Sequence, residues 1–302
     1  MACGTMRGQI LKAGMLLLMT LLLAESYLWA AQRYSAKGLV LKVDRSMRAL
    51  VVSCQDIPGY MDAMVMPFTV REAKALDGLA PGMVVEFTLV VNQKSSYVED
   101  VRVRSFDSTE REPVDARRLK LLEGLIDPKS VPSTALAAGQ PVPNFALTDQ
   151  NQRRISLHQL TGKVVAMNFV YTRCALPEYC YRLSNNFGRL QKRFKERMGR
   201  DLVLLTVTFD PVHDHPEILA NYAKTWKADP ESWHFLTGSV PDVERVCNLF
   251  GVGFWPDEAQ LTHSLHTAVI DRQGKLVANL EGNQFTAEQL GDLVETVIRR
   301  PH

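Results

Sequence analysis

The stretch Tyr171-Thr-Arg-Cys-Ala-Leu-Pro-Glu-Tyr-Cys180 constrains this chain more than any other. It follows Lys163-Val-Val-Ala-Met-Asn-Phe-Val170, a continuous apolar run of the kind that forms a strand buried on both faces. It precedes residues 183–197, which have helical spacing and a basic end. Two cysteines therefore fall on the loop between a central strand and the helix after it. Open α/β sheets bind ligands at such turns, and a helix N-terminus favours thiolate. The alternative is a structural disulfide or a pair of inert thiols.

The spacing narrows the chemistry. A dithiol exchanger carries Cys-x-x-Cys, whereas five residues, Pro177 among them, separate Cys174 from Cys180. A loop of that length still brings two sulfurs onto one ion or into one disulfide. Two thiolates and a third ligand from elsewhere suit a soft or borderline metal such as copper. The third ligand is expected downstream.

A length of 302 residues allows two domains, and 46% hydrophobic with 23% charged residues describes an ordinary globular protein. A net charge of +2, with no basic stripe interleaved with aromatics, gives no argument for nucleic acid. Five cysteines, an odd number without a dense framework, argue against a disulfide-stapled mini-domain. At the N-terminus, Arg7 and Lys12 precede a 12-residue apolar run from Ala13 to Ala24. That is short for a spanning helix and right for a signal peptide. Residues 1–31 are therefore expected to export the chain, either as a cleaved signal or as an uncleaved anchor. The anchor would be the chain's one membrane contact. Cys3 precedes the apolar run and is not a lipidation site.

Residues 35–108 alternate in short runs at 38–44, 49–54, 64–70, 84–91 and 97–103. Five strands without a long helix predict a small all-β barrel of the OB type. Within it, Cys54 is followed by Ile57-Pro-Gly-Tyr-Met-Asp-Ala-Met-Val-Met-Pro-Phe68. Met64 and Met66 share a strand face, with Met61 and Cys54 just upstream. A thiolate with two or three thioethers is a soft set that selects Cu(I) or Ag(I). The bland alternative is methionine filling a core gap. The run from Ile57 to Phe68 in this five-strand frame resembles the CusF-like periplasmic copper-binding domains. The resemblance implies Cu(I) held by Met64 and Met66. Cys54 stands where that family has histidine, and Met61 where its best-known members have tryptophan.

Residues 109–136 change character. Glu110-Arg-Glu-Pro-Val-Asp-Ala-Arg-Arg-Leu-Lys120 is charged, and Asp127-Pro-Lys-Ser-Val-Pro-Ser-Thr134 is rich in turn formers. This is expected to be a linker, with one short amphipathic helix over 114–126 that packs between domains.

Residues 137–300 alternate strand and helix. Strands are expected at 164–170, 202–209, 234–237, 266–271 and 276–280, and helices at 183–197, 216–226, 240–250 and 287–299. This pattern predicts an α/β thioredoxin-like domain closed by a β-hairpin. An ordered series carries a closer resemblance. It comprises Asn144-Phe-Ala-Leu-Thr-Asp149, the cysteine loop, Thr208-Phe-Asp-Pro211 with Asp214 and Pro216-Glu217, Leu236-Thr-Gly238, and Thr262-His-Ser264 before Ile270-Asp271. It resembles the Sco/SenC family of copper-binding thioredoxin-fold proteins that help assemble cytochrome c oxidase. The resemblance implies copper bound by Cys174, Cys180 and His263; thiolates favour Cu(I), while an imidazole beside two thiolates also tolerates Cu(II). That family's usual spacing is Cys-x-x-x-Cys, so the loop here is two residues longer.

Other residues were weighed beside these. His266, three residues after His263, is expected not to ligate. Asp210 follows a buried strand and is expected to orient a ligand, to tune a nearby thiol from behind it, or to cap the following turn. His213 and His215 form either an accessory metal patch or a solvated loop. Cys247 lies on an apolar helical stripe and is expected to be a buried structural thiol. In an oxidising compartment, Cys54 could instead pair with Cys247.

The sequence thus predicts an exported, periplasmic copper chaperone with two metal modules, delivering copper to a cytochrome c oxidase subunit or a similar client. The rival readings are a thiol–disulfide oxidoreductase acting through Cys174 and Cys180, and copper sequestration without a client.

Overall fold

The computed structural model describes residues 31–104, 135–174, 177–257 and 260–300, with residues 177, 254–257 and 260–263 described by their backbone. The expected export segment, Cys3 and the expected linker helix over 114–126 lie outside the described residues.

The first module is a five-stranded antiparallel sheet of β1 (Gln32–Asp44), β2 (Ala49–Cys54), β3 (Val65–Thr69), β4 (Val84–Val91) and β5 (Ser96–Val103), in the order β3-β2-β1-β4-β5. A parallel bridge between Val70 and Val98, with Arg71 N–H donating to the Val98 carbonyl at 2.9 Å, brings the two edge strands together into a barrel. Inward residues such as Val40, Leu50, Val52, Phe68, Phe87 and Val98 fill it. β1 begins at Gln32, earlier than its apolar run suggests. The polar residues from Gln32 to Lys37 are held as strand by their ladder to β4, from Val91 to Glu86.

The second module is a seven-stranded sheet with the order β14-β13-β8-β9-β10-β6-β7. Its centre is β8 (Val164–Val170) and β9 (Leu202–Thr208), parallel in register from Val164–Leu202 to Val170–Thr208 and buried throughout. β10 (Trp233–Thr237) continues the parallel part. The antiparallel hairpin of β13 (His266–Ile270) and β14 (Leu276–Glu281) flanks β8. Four helices complete the module: α1 (Arg182–Arg193), α2 (Pro216–Thr225), α3 (Val240–Leu249) and α4 (Ala287–Ile298). These strands and helices lie where the apolar periodicity put them. Two hairpins were not anticipated: β6 (Ala146–Asp149) with β7 (Arg154–Ser156), and β11 (Phe254–Asp257) with β12 (Gln260–His263). Their runs are short and mixed, so sequence period carries little signal there.

The modules pack directly on one another. Val40 points into the barrel, whereas Leu39 and Leu41 belong to the core of the second module. A strand covered on both faces explains the unbroken burial of residues 38–41 within an otherwise alternating strand. Gly82 adopts φ +90°, and a Cβ there would stand 2.8 Å from Ala278 Cβ, so only glycine fits this approach.

Candidate metal centres

In the first module, register brings the soft ligands together. Ser53 pairs with Val65 and Val52 with Met66, and Cys54 N–H donates to the Met64 carbonyl at 2.9 Å. Residues opposite one another in an antiparallel pair project to the same face. Cys54 and Met64 thus share a face with Val52 and Met66. Cys54 is 2% exposed and Met64 45% exposed, so the patch has a buried thiol and an open thioether. Met61 and Met66 are half-buried and pack on the same barrel core as Cys54. Met61 is held by a tight turn in which Ile57 N–H donates to the Met61 carbonyl at 2.8 Å and Met61 N–H returns to Ile57 at 3.1 Å. Burial pushes the Cys54 thiol up to about 12. One thiol and three thioethers from a single patch fit a soft monovalent ion. Tyr60 stacks on Tyr34 with centroids 4.5 Å apart, placing an aromatic pair beside Met61 that sequence reasoning did not single out.

In the second module, the cysteine loop leaves the C-terminal end of β8. Cys174 is half-buried, and Cys180 is 1% exposed on a wide helical turn, Pro177–Tyr181, that leads into α1. Tyr179 breaks the helical path there, with φ −107° and ψ −108°. The turn accommodates the long spacing, and the two thiols reach each other in a hydrogen bond. None of the four described cysteines is in a disulfide. Burial, and then the bond that the Cys180 thiol donates to Cys174, push the Cys180 thiol well above its ordinary range. Desolvation therefore outweighs the helix N-terminus at this position, and Cys180 is a neutral thiol until a metal or a partner sulfur takes the place of its proton.

Pairing of Val170 with Thr208 sets the loop after β9 beside the cysteine loop. Asp214, fully buried, accepts from Thr172 N–H at 3.0 Å and from the hydroxyls of Thr172 and Thr208. It pins the chain two residues before Cys174. Asp210 accepts from Arg173 at 2.7 Å and contacts His213 Nδ1 at 2.8 Å. Burial pushes its carboxyl up, but the bonds to His213 and Arg173 outweigh this and hold it below the usual range. Asp210 thus acts on the residue preceding Cys174, and His213 is engaged with it. His215 is exposed at the start of α2. Tyr222 hydrogen-bonds Ser184 at 3.0 Å, and burial pushes its phenol to about 12, with the nearby Cys180 and Cys174 adding to the effect. Neither Asp214 as an anchor nor Tyr222 as a neighbour was legible, because their partners are distant in sequence.

His263 ends β12, where its backbone stands opposite Phe254. β13 runs antiparallel to β8, with Thr267 opposite Asn168, so the chain around His263 enters the sheet at the end where the cysteine loop leaves it. The side chain of His263 lies outside the described residues. Among the described residues no three His, Cys, Asp or Glu side chains converge as a metal set. His266 is buried against Asn279 at 3.3 Å, and burial pushes its imidazole down. Cys247 is fully buried in the second module's core, with its thiol pushed to about 12. Cys54 lies in the separate core of the barrel, and the two are not paired.

Two family models match the chain. SCO1/SenC matches residues 134–299, and the copper binding periplasmic protein CusF matches residues 33–103. Copper is the metal of both matched families. A SCO1 protein homolog of Bacillus subtilis is 26% identical over 146 residues, covering 47% of this chain and 74% of its own length. The mitochondrial protein SCO1 of Saccharomyces cerevisiae is 26% identical over 160 residues, 51% of this chain but only 52% of its own length. The thiol-disulfide oxidoreductase ResA of Bacillus cereus is also 26% identical over 160 residues, 53% of this chain and 78% of its own. Among solved structures, a SCO1/SenC family lipoprotein from Bacillus anthracis covers 53% of this chain and 95% of its own, with 26% identity and a TM-score of 0.48.

Proposed function

The chain belongs to the SCO1/SenC family, and from that premise we propose that it is an extracytoplasmic copper carrier with two soft-metal sites. The observation that carries the reading is the pair of hydrogen-bonded, unoxidised thiols, Cys174 and Cys180, where the central strand meets its helix. In the second module, Cys174, Cys180 and His263 would hold copper; in the barrel, Cys54, Met64 and Met66 would hold Cu(I), with Met61 alongside. The CusF match, to a periplasmic protein, supports both the barrel's role and a location outside the cytoplasm. Membership of a family involved in cytochrome c oxidase assembly supports a respiratory client such as an oxidase subunit. Asp214 and Asp210 act by holding Thr172 and Arg173, so the loop is ordered before metal arrives. Metal entry requires each buried thiol to give up its proton.

The test is an anaerobic Cu(I) titration of the reduced chain against a competing chelator. Two equivalents for the natural chain and one for Cys174→Ser/Cys180→Ser are expected. Failure of the second module to take up copper would overturn the carrier reading.

A second reading is thiol–disulfide exchange on client cysteines. It is favoured by the hydrogen bond between the two thiols and by the ResA relative. His263→Ala separates the two. A carrier loses copper affinity, whereas an oxidoreductase keeps its exchange rate with a small disulfide.

A further inference from the structure

One short segment touches both ligand loops. Asn283, fully buried in the turn between β14 and α4, donates from Nδ2 to the carbonyl of Glu178, two residues before Cys180. Gln289, in the first turn of α4, donates from Nε2 to the carbonyl of Ser53 at 3.0 Å, and Asp292 accepts from Ser53 Oγ at 2.7 Å. Ser53 immediately precedes Cys54. Side chains alternate along a strand, so Ser53 faces α4 while Cys54 turns into the barrel. The contacts at Asn283 and Gln289 are six residues apart, a chain path of at most ~20 Å.

The segment is braced at both ends of this path. Gln289 and Thr286 form a reciprocal cap at the start of α4, with bonds of 3.0 and 3.2 Å. The other oxygen of Asp292 accepts from Arg193 at 2.6 Å, and Arg193 closes α1, the helix that begins after Cys180. Pairs of Arg189 with Glu288, Arg193 with Asp292 and Arg197 with Glu295 show α1 and α4 running side by side in the same direction. The two ligand loops are thus joined twice, through Asn283 directly and through α1 and Arg193.

We propose that residues 283–292 couple the two metal sites, so that occupancy of either changes the affinity of the other. The proposal rests on the reading of both as copper sites. Its physical basis is that Cys54 and Met64 face each other across the end of the β2–β3 ladder, so a metal that draws them together shifts the end of β2. The Ser53 carbonyl and hydroxyl, adjacent on the same strand end, must then move against Gln289 and Asp292. Coupling through such a shared element is reciprocal.

The test uses the full chain and Cu(I) against a competing chelator. The affinity of the Cys174–Cys180 site is measured with the barrel site intact and with Met64→Leu/Met66→Leu, and the affinity of the barrel site with and without Cys174→Ser/Cys180→Ser. We expect each affinity to shift by about fivefold or more, by the same factor in both directions. The shift should vanish in Ser53→Ala/Gln289→Met; Asn283→Ala/Arg193→Met, which cuts both connections at the other end, serves if that variant fails to fold. Amide exchange gives a second readout: in Cys174→Ser/Cys180→Ser, Cu(I) in the barrel should alter exchange at residues 177–181. Two sites that bind with independent affinities, and exchange changes confined to the barrel, overturn the coupling alone. Absence of binding at either site overturns the copper reading and the coupling with it.

Discussion

Cys54 stands directly across the β2–β3 ladder from Met64, its N–H donating to the Met64 carbonyl at 2.9 Å. The thiol is buried and the thioether open, so the pair spans from the barrel core to the solvent-facing surface. On the proposed reading, a metal ion entering there would meet methionine first and the thiol last, and binding would end with loss of a proton.

That order would make Cu(I) binding by the barrel depend on pH. With the thiol pushed to about 12 by burial, metal-free Cys54 is protonated throughout the range of ordinary buffers. Each unit rise in pH should strengthen apparent affinity by about tenfold, without a plateau near the ordinary thiol value of ~8.5. Titrations from pH 6 to 9 in Cys174→Ser/Cys180→Ser check this. A flat profile would show that Cys54 does not ligate as thiolate.

Met64 should separate binding from stability. Because it is 45% exposed, Met64→Leu should shift folding stability by no more than ~0.5 kcal/mol, while weakening Cu(I) uptake by the barrel. Parallel denaturation and chelator competition measure the two effects. An unchanged affinity would remove Met64 from the ligand set.

Asp214 should matter to the dithiol without touching it. Asp214→Ala leaves the Thr172 N–H and two threonine hydroxyls without their acceptor. The expected loss is about 2–4 kcal/mol of stability, together with faster alkylation of Cys174 and Cys180 in the native state. Denaturant titration and timed alkylation with mass spectrometry measure these. Alkylation that stays slow in a destabilised protein would assign Asp214 to the core alone.

Buried thiols also predict alkaline sensitivity. Cys247 is pushed up to about 12 by burial, above its value in the unfolded chain. Its neutral form therefore contributes stability that is complete below about pH 9 and lost as pH rises from 9 to 12, at ~1.4 kcal/mol per pH unit. Cys247→Ala should lower stability at pH 7 by making a cavity but flatten this alkaline decline. Denaturation curves between pH 8 and 11 check the slope.

The docking of the modules rests on a close approach that a side chain would block. Gly82→Val places atoms against Ala278 and Leu280 and forces a β-branched residue into φ +90°. A cost of about 1–3 kcal/mol is expected, with faster amide exchange along residues 278–292. Unchanged exchange there would mean that the barrel and β14 are not held together at Gly82.

Much of this architecture was legible locally. β8 and β9 are continuous apolar runs because both faces of a central parallel strand are covered, and that burial leaves its mark on every residue from Val164 to Val170. The barrel's alternating runs, the helical stripes and the cysteines at a strand-to-helix turn carry similarly local signatures. The proximity of Cys54 to Met64 and Met66 was foreshadowed too, since a short loop between two strands limits the register. What only the tertiary structure decided involves partners far apart in sequence. Asp214 reaches back 42 residues to Thr172, and Gln289 reaches 236 residues to Ser53. Nothing in the local pattern of a serine or a glutamine distinguishes such a contact from a solvated side chain. The protonation state of Cys180 belongs to the same class. Its position before a helix predicts thiolate, but the surrounding core, assembled from elements across the whole module, buries it and keeps it neutral. Local sequence sets periodicity and turn chemistry, whereas desolvation and long-range hydrogen bonds exist only once the chain has closed on itself.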